Sequence, residues 1–501
     1  MHNIQEYLNY FTSKKFFLSL LGKTIYQKTL RIYLFTAFFG AILLWIPALS
    51  NKDGIYIIDA FFISISAFTN TGLTTETTSS KFTFFGQLVI LILIQLGGIG
   101  FITAIICLWS WIAKGGNLNA ESRWFLHFER GSYNRVESTQ SFKAGVIVLL
   151  VTEAIGAFLL TIFFFCATPD ATAKETLNFK GDFFKSLWAG IFHSISAANN
   201  AGFDILGEHS IMPYRSGANN ILSVILLIES VIGGIGYPIY YDLYLLYKNK
   251  QRGKHHQLSL FTIICLSTYF FVAFLSTFLV LFFEVGFGRD YPTGTIIYPN
   301  DATRAKDKFV WNDADKMWNI VYTSFSARSA GFSSLDVGQV TEETKWLLSI
   351  LMFVGTSPAS TGGGIRTITI FLILAKIWFT IKGKNHLTIR NKTVDPEIIF
   401  DACQAFVVAT ILIIGCIFLI FLSLNKKNLK IGDVAFEASS AFGTTGLTAN
   451  VTKECNFFGK IVIIFLMFIG QLGVSNSLLS FTDLQPKGKN IRYCAENLKI
   501  I

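Results

Sequence analysis

The chain has 501 residues, 52% of them hydrophobic and 15% charged, with a formal net charge of +10 and a mean hydropathy of +0.50. Soluble proteins carry about a quarter charged residues, so this composition excludes an ordinary water-soluble protein and makes a bilayer the main solvent. The seven cysteines, at 107, 166, 265, 403, 416, 455 and 494, are scattered without a CxxC or His/Cys cluster and indicate neither a disulfide framework nor a zinc site.

The N-terminus reads as an interfacial amphipathic segment rather than a cleavable signal. Tyr7, Phe11, Phe16, Phe17, Leu20 and Leu21 alternate with Lys14, Lys15, Lys23 and Lys28 ahead of the first apolar run. Eight spanning helices are then expected at about 30–49, 85–113, 142–166, 221–247, 258–283, 346–381, 398–424 and 457–480. A helix needs roughly 20 apolar residues to cross the hydrocarbon core.

Between the helices of each successive pair lies a shorter segment: 59–74, 184–204, 314–333 and 432–448. Each starts as a short helix and ends in small polar residues around one glycine. Such a segment is too short to span but fits a re-entrant loop, whose irregular backbone must line protein or water. The plan is helix, re-entrant loop, helix, four times over. Lysine and arginine number 23 on the side holding both termini and the connections 114–143, 248–254 and 376–392, against 18 on the other. That bias places both termini in the cytoplasm and makes the positive charge a topology signal. An RNA-binding reading has no fold or aromatic platform behind it.

Aligned on one glycine, the loops read S-A-F-T-N-T-G-L-T (66–74), S-A-A-N-N-A-G-F-D (196–204), F-S-A-R-S-A-G-F-S (325–333) and S-A-F-G-T-T-G-L-T (440–448), spaced by 130, 129 and 115 residues. G-G-I-G follows the first two loops, at 97–100 and 233–236. Self-similarity at a roughly fixed period marks a repeat architecture. The fold class is therefore an all-α polytopic membrane protein, with four repeats around a pseudo-fourfold central pore. The segments are 1–113 (cytoplasmic segment and repeat 1), 114–247 (linker and repeat 2), 248–381 (linker and repeat 3), 382–480 (repeat 4) and 481–501 (cytoplasmic tail). A glycine at each loop tip lets successive carbonyls turn inward and replace water around a dehydrated cation. The C-terminal end of each short helix adds partial negative charge. The bland alternative, loop punctuation, explains one such glycine more readily than four on one membrane face.

These motifs resemble the Trk/Ktr/HKT superfamily of potassium transporters along essentially the whole chain, and eight spans look most like the bacterial KtrB membrane subunit. The resemblance implies that Gly72, Gly202, Gly331 and Gly446 are selectivity-filter glycines. With Thr71, Ala201, Ala330 and Thr445 before them, they are the candidate ion-binding residues. Relatives with serine in the first loop tend to pass sodium, so Gly72 favours potassium. Potassium, with sodium as the alternative cargo, is the implied substrate, and no covalent cofactor is expected. The resemblance further implies a homodimer sitting on a cytosolic nucleotide-binding regulatory subunit of the KtrA/TrkA kind, since the chain has no nucleotide-binding pattern of its own.

The run 346–381 has 36 residues and is interrupted by G-T-S-P-A-S-T-G-G-G at 355–364. A continuous helix of that length would be about 54 Å long, nearly twice the hydrocarbon core. In the family the matching segment obstructs the pore beneath the filter. The resemblance thus makes Gly355, Ser357, Pro358, Gly362, Gly363 and Gly364 an intramembrane gate; a packing kink is the alternative. Arg366, Glu153 and Glu229 are charges in apolar surroundings, expected to bond inside the bundle. One departure stands out. Where the family has arginine in a segment like F-I-G-R-L-G, this chain has Gln471 in F-I-G-Q-L-G (468–473). A membrane enzyme finds no support, as no HExxH, G-x-S-x-G or paired intramembrane aspartates occur. An organic-solute transporter would more often show two inverted halves than four parallel units.

Overall fold

The computed structural model describes residues 25–47, 49–100, 137–169, 177–207, 210–253, 257–285, 313–390, 392–424 and 429–480. The amphipathic N-terminal segment, most of the 114–143 connection and the tail 481–501 lie outside the described residues. The described residues between 35 and 474 form one compact unit, which holds all four loops, and those of 25–34 and 475–480 fall outside it.

Each repeat opens with a long helix: α1 Ile25–Trp45, α4 Glu137–Cys166, α8 Leu260–Val285 and α12 Pro396–Leu422. The last two carry exposed apolar stripes at helical spacing, Phe271, Phe274, Phe278 and Phe282 on α8 and Val407, Ile411, Ile414, Phe418 and Leu422 on α12. In water these faces would be a liability; in a bilayer they are the lipid contact. A short helix follows the long one in each repeat: α2 Ile57–Phe68, α5 Phe183–Ala198, α9 Asp313–Ser326 and α13 Ile431–Gly443. The C-terminal halves of these short helices are largely buried by the bundle, and in α13 every residue after Ile431 is buried.

The second long helix of repeats 1, 2 and 4 is shorter than the unbroken span the sequence led us to expect, while that of repeat 3 breaks at 355–364 as expected. Residues 101–113 of the first expected span lie outside the described residues. The helices are α3 Phe84–Ile99, α6 Asn220–Ile235, α10 Glu342–Phe353 and α14 Phe457–Leu472. Three of them stop at a glycine in the left-handed region, Gly100 (φ 89°), Gly236 (φ 98°) and Gly473 (φ 84°). The chain then restarts as α7 Tyr237–Gln251 after α6 and as α15 Val474–Ser480 after α14. A left-handed glycine ends a helix without leaving any mark in hydropathy. The sequence echo G-G-I-G is thus a helix-breaking motif, and G-Q-L-G at 470–473 is its fourth-repeat copy. In repeat 3 the break is enlarged into the 355–364 excursion, and the helix resumes as α11 Thr367–Ile381. A two-stranded hairpin, Thr388–Ile389 with Lys392–Thr393, connects α11 to α12.

A shared register underlies the repeats. Thr83, Thr341 and Asn456 cap α3, α10 and α14 through side-chain oxygens that accept from the backbone three residues on. Fourteen residues past each cap stands Gly97, Gly355 or Gly470, and Gly233 holds the same place in repeat 2. In repeats 1, 2 and 4 a β-carbon there would lie 2.0, 2.0 and 1.9 Å from the carbonyl oxygens of Phe68, Ala198 and Phe442. Those are the C-terminal carbonyls of the short helices, so only glycine lets the two helices meet so closely.

Neighbouring repeats are tied in cyclic order near the start of each short helix. Trp188 of repeat 2 donates to Gln87 of repeat 1 at 2.8 Å, and Trp318 of repeat 3 donates to Ser223 of repeat 2 at 2.8 Å. Asp433 of repeat 4 accepts from Lys345 of repeat 3 at 2.7 Å, and Asp59 of repeat 1 accepts from Lys460 of repeat 4 at 2.5 Å. Gln87, Ser223, Lys345 and Lys460 hold one register position, ten residues before Gly97, Gly233, Gly355 and Gly470. Every repeat thus reaches back to the one before it, and the fourth is linked to the first.

Candidate ion-conduction site

The four aligned glycines meet in a closed ring. Gly72, Gly202, Gly331 and Gly446 all have φ between 67° and 91°. A β-carbon on Gly72 would stand 2.4 Å from the Ala201 oxygen, one on Gly202 2.8 Å from Gly331 Cα, one on Gly331 2.3 Å from the Thr445 oxygen, and one on Gly446 2.3 Å from the Thr71 oxygen. Each loop therefore abuts the next, in the order 1, 2, 3, 4 and back to 1. Left-handed backbone and crowding both demand glycine here.

The turn into the ring is the same in three repeats. The amides of Thr71, Ala201 and Thr445 donate to the carbonyls of Ser66, Ser196 and Ser440 at 2.8, 2.8 and 2.9 Å. Repeat 3 departs: Ala330 donates to Ser326 at 2.9 Å, one residue closer. Past the glycines, the Ser196 and Ser326 hydroxyls donate to the Phe203 and Phe332 carbonyls at 2.7 and 2.6 Å. Those two carbonyls are already satisfied by side chains, whereas the residue before each glycine presents its oxygen at the seam between loops. Two buried side chains nine residues before the glycine brace the outgoing strand. Glu437 accepts from the Ala449 amide at 2.9 Å and also holds Thr448 and Thr452. His193 Nε2 accepts from the Ile205 amide at 3.5 Å.

The 355–364 segment is drawn back on itself. The Ile365 amide donates to Phe353 at 3.2 Å and the Thr367 amide to Thr356 at 3.1 Å, so the two ends of the excursion are stapled. A β-carbon on Gly355 would be 1.8 Å from the Gly363 oxygen. The segment touches residues two before the ring glycines. Asn200 donates to Thr361 Oγ1 at 2.8 Å, the Gly363 amide donates to Thr444 Oγ1 at 2.6 Å, and Gly362 lies against Ser329 Oγ. It is also held to α6 and α14, through amides of Ser357 and Thr361 to Gly234 and Gly233 and of Gly364 to Gly470. Gln471 meets this segment too, its Nε2 3.5 Å from the Thr361 oxygen.

The isolated charges find their surroundings. Glu153 accepts from Asn199 at 2.8 Å and Gln95 at 3.1 Å; Glu229 accepts from Ser194 at 2.5 Å. Arg366 stands at the start of α11 and donates to the Gly362 carbonyl. Sequence reasoning missed Arg328, three residues before Gly331. It is 2% exposed, donates to the carbonyls of Val354 and Gly355 at 2.8 and 2.9 Å, and lies 5.3 Å from the Tyr269 ring centroid. A charge inside a re-entrant loop was the available signal, since such charges are costly without partners. Glu437 carried the same signal.

Four helix–loop–helix repeats, closed on a ring of loop glycines within an apolar helical bundle, define a polytopic transport protein. The family model of the TrkH cation transport proteins matches residues 14–493, and the chain belongs to that family, one of membrane ion transporters and not of enzymes. An uncharacterised cation transporter of Mycoplasma genitalium is 30% identical over 96% of this chain and 98% of its own length. The Ktr system potassium uptake protein B of Bacillus subtilis is 30% identical over 92% of this chain and 93% of its own. A potassium/sodium uptake protein of Enterococcus hirae is 29% identical over 92% and 94%. The crystal structure of the potassium transporter TrkH from Vibrio parahaemolyticus has the same fold, with a TM-score of 0.63 at 15% identity, covering 92% of this chain and 86% of that one.

Proposed function

We propose that the chain takes up potassium across the plasma membrane through the ring of Gly72, Gly202, Gly331 and Gly446, restrained from below by the 355–364 segment. The cyclic closure of four left-handed glycines carries this reading. Backbone oxygens of Thr71, Ala201, Ala330 and Thr445 at the seams are neutral, closely spaced ligands that suit a dehydrated monovalent cation. No carboxylate ring is needed. The short helices point their C-terminal ends toward the ring and add a favourable partial charge.

Gly355, Ser357, Pro358, Gly362, Gly363 and Gly364 form the gate, bonded to the filter loops by Asn200 and Thr444. Gln471 puts a neutral carboxamide beside this gate where the family pattern has arginine. A sodium-permeable or sodium-coupled variant is the second reading, favoured by the similarity to the potassium/sodium uptake protein of Enterococcus hirae.

Both termini are cytoplasmic in this reading. The chain works as a homodimer and takes its control from a separate cytosolic nucleotide-binding subunit of the KtrA/TrkA kind. The basic connections at 248–254 and 376–392 and the similarity to the Ktr potassium uptake proteins support that division of labour. Expression in cells stripped of their own potassium uptake tests the function. Growth at limiting potassium is the expected result; normal membrane insertion with no gain in growth, even with a regulatory subunit present, contradicts it.

A further inference from the structure

The gate segment is fixed at its two roots. Backbone hydrogen bonds join Ile365 to Phe353 and Thr367 to Thr356, and the buried Arg328 guanidinium holds the carbonyls of Val354 and Gly355. Its crest, residues 357–361, rests instead on repeat 2, where α6 stops and α7 starts. The Ser357 and Thr361 amides donate to the Gly234 and Gly233 carbonyls at 3.4 Å each, and the Ala359 carbonyl accepts from the Tyr237 amide at 3.1 Å. A β-carbon on Gly236, between those partners, would stand 2.5 Å from the Pro358 oxygen. The crest is therefore bonded to both sides of one helix break. Repeat 4 offers the contrast: the Gly364 amide bonds to Gly470, ahead of the break, and a β-carbon on Gly473 would meet nothing within 4 Å.

Helix α7 is an arm that starts at this junction. At its near end the buried Tyr237 ring stands edge-on to Phe142 of α4, with centroids 5.7 Å apart, and its hydroxyl donates to the Gly98 carbonyl of α3 at 2.9 Å. Further along, Asp242 accepts from the Ser259 amide at 2.8 Å. Past it Leu243, Tyr244 and Tyr247 are exposed, and Lys248, Lys250 and Arg252 close the arm. Its 15 residues make it about 22 Å long. Gly236, left-handed at φ 98° between two helices, is the kind of element-terminal position that absorbs a change of backbone angle.

We infer that the α6–α7 junction is the seat of the gate and Gly236 its hinge. A swing of α7 about Gly236 carries Pro358 and Ala359 with it, while the roots at 353–356 and 364–367 stay in place. The motion strains the bond between Thr361 and Asn200 that ties the crest to the second filter loop. This inference rests on the gate reading above.

The test sets Gly236→Ala against Gly473→Ala in the full-length protein. Both put a side chain on left-handed backbone at a helix break, and only the first drives it into the gate. Two quantities are read in proteoliposomes. One is potassium flux. The other is the rate at which a water-soluble methanethiosulfonate modifies Ser360→Cys, in a background with the seven native cysteines replaced; Ser360 is 1% exposed in the crest. Gly236→Ala should raise both several-fold, and Gly473→Ala should leave both near the parent's. Tyr237→Phe keeps the amide bond to Ala359 but frees the arm from α3, so it should raise both to a smaller extent. Equal effects of the two alanines overturn the inference. So do parent values for Gly236→Ala, or for Tyr237→Phe where Gly236→Ala does not fold. If shortening the 355–364 segment raises flux in the same assay, the gate reading survives that failure; if it does not, the gate reading falls as well.

Discussion

Lys460 on α14 donates to Asp59 on α2 at 2.5 Å across 401 residues of sequence, and this ion pair links the last repeat to the first. Asp59 is 4% exposed at its side chain and Lys460 16%. Removing one partner strands the other: a fully buried pair loses about 3–5 kcal/mol when broken, and the partial exposure of Lys460 lowers that to roughly 2–3. Lys460→Met should therefore shorten the thermal lifetime of the detergent-solubilised protein, and Asp59→Asn in addition should recover part of it. Equal lifetimes for the parent and Lys460→Met would show that packing alone holds repeats 4 and 1 together.

At Gly72 a side chain meets both a left-handed backbone, costing about 1–2 kcal/mol for a residue with a β-carbon, and the Ala201 oxygen at 2.4 Å. Gly72→Ser must displace the neighbouring loop. Total potassium flux should fall and the sodium-to-potassium flux ratio should rise, measured by isotope uptake into proteoliposomes. A correctly inserted Gly72→Ser protein with the parent's ratio removes Gly72 from the filter.

The gate hypothesis is sharpest at Thr361. Its hydroxyl accepts from Asn200 and donates to the Gly233 carbonyl at 3.2 Å. Thr361→Val loses both bonds at little change in volume. With each bond contributing about 1 kcal/mol, flux should rise several-fold if those bonds favour the closed segment, with selectivity unchanged. Shortening the 355–364 segment should act in the same direction and further. Folded, selective variants with the parent's flux would make the segment a structural kink.

Gln471 lies beside the same segment, and Gln471→Arg would place a fixed positive charge there. In a low-dielectric passage that charge repels an approaching cation far more strongly than in water. Slower potassium entry with normal protein yield is the expected outcome in a flux assay. Undiminished entry would mean that Gln471 is screened from the ion path.

The repeats are legible in the sequence because their glycines do double duty. Gly72, Gly202, Gly331 and Gly446 sit in one register among small polar residues, and the crowding that demands glycine is the same in all four places. The breaks at Gly100, Gly236 and Gly473 are hidden, since a glycine between leucines and isoleucines lowers hydropathy little while its backbone angle ends the helix. Only repeat 3, with Pro358 and three consecutive glycines, announces its break. Arg328 is hidden for another reason. Its acceptors are the carbonyls of Val354 and Gly355, which any residue would supply, so no complementary side chain marks the pairing. The ties between repeats are equally quiet: Trp188 with Gln87 and Lys345 with Asp433 are ordinary residues until the register of the repeats brings them together.

The central claim, a potassium-selective pathway through the glycine ring, is tested most directly by uptake into proteoliposomes with potassium, rubidium, sodium or lithium as the sole permeant cation. Potassium and rubidium should enter readily and sodium and lithium slowly if, as proposed, the four glycine positions of the ring leave backbone oxygens to coordinate the ion. Equal entry of sodium and potassium through the purified, folded protein would contradict the account.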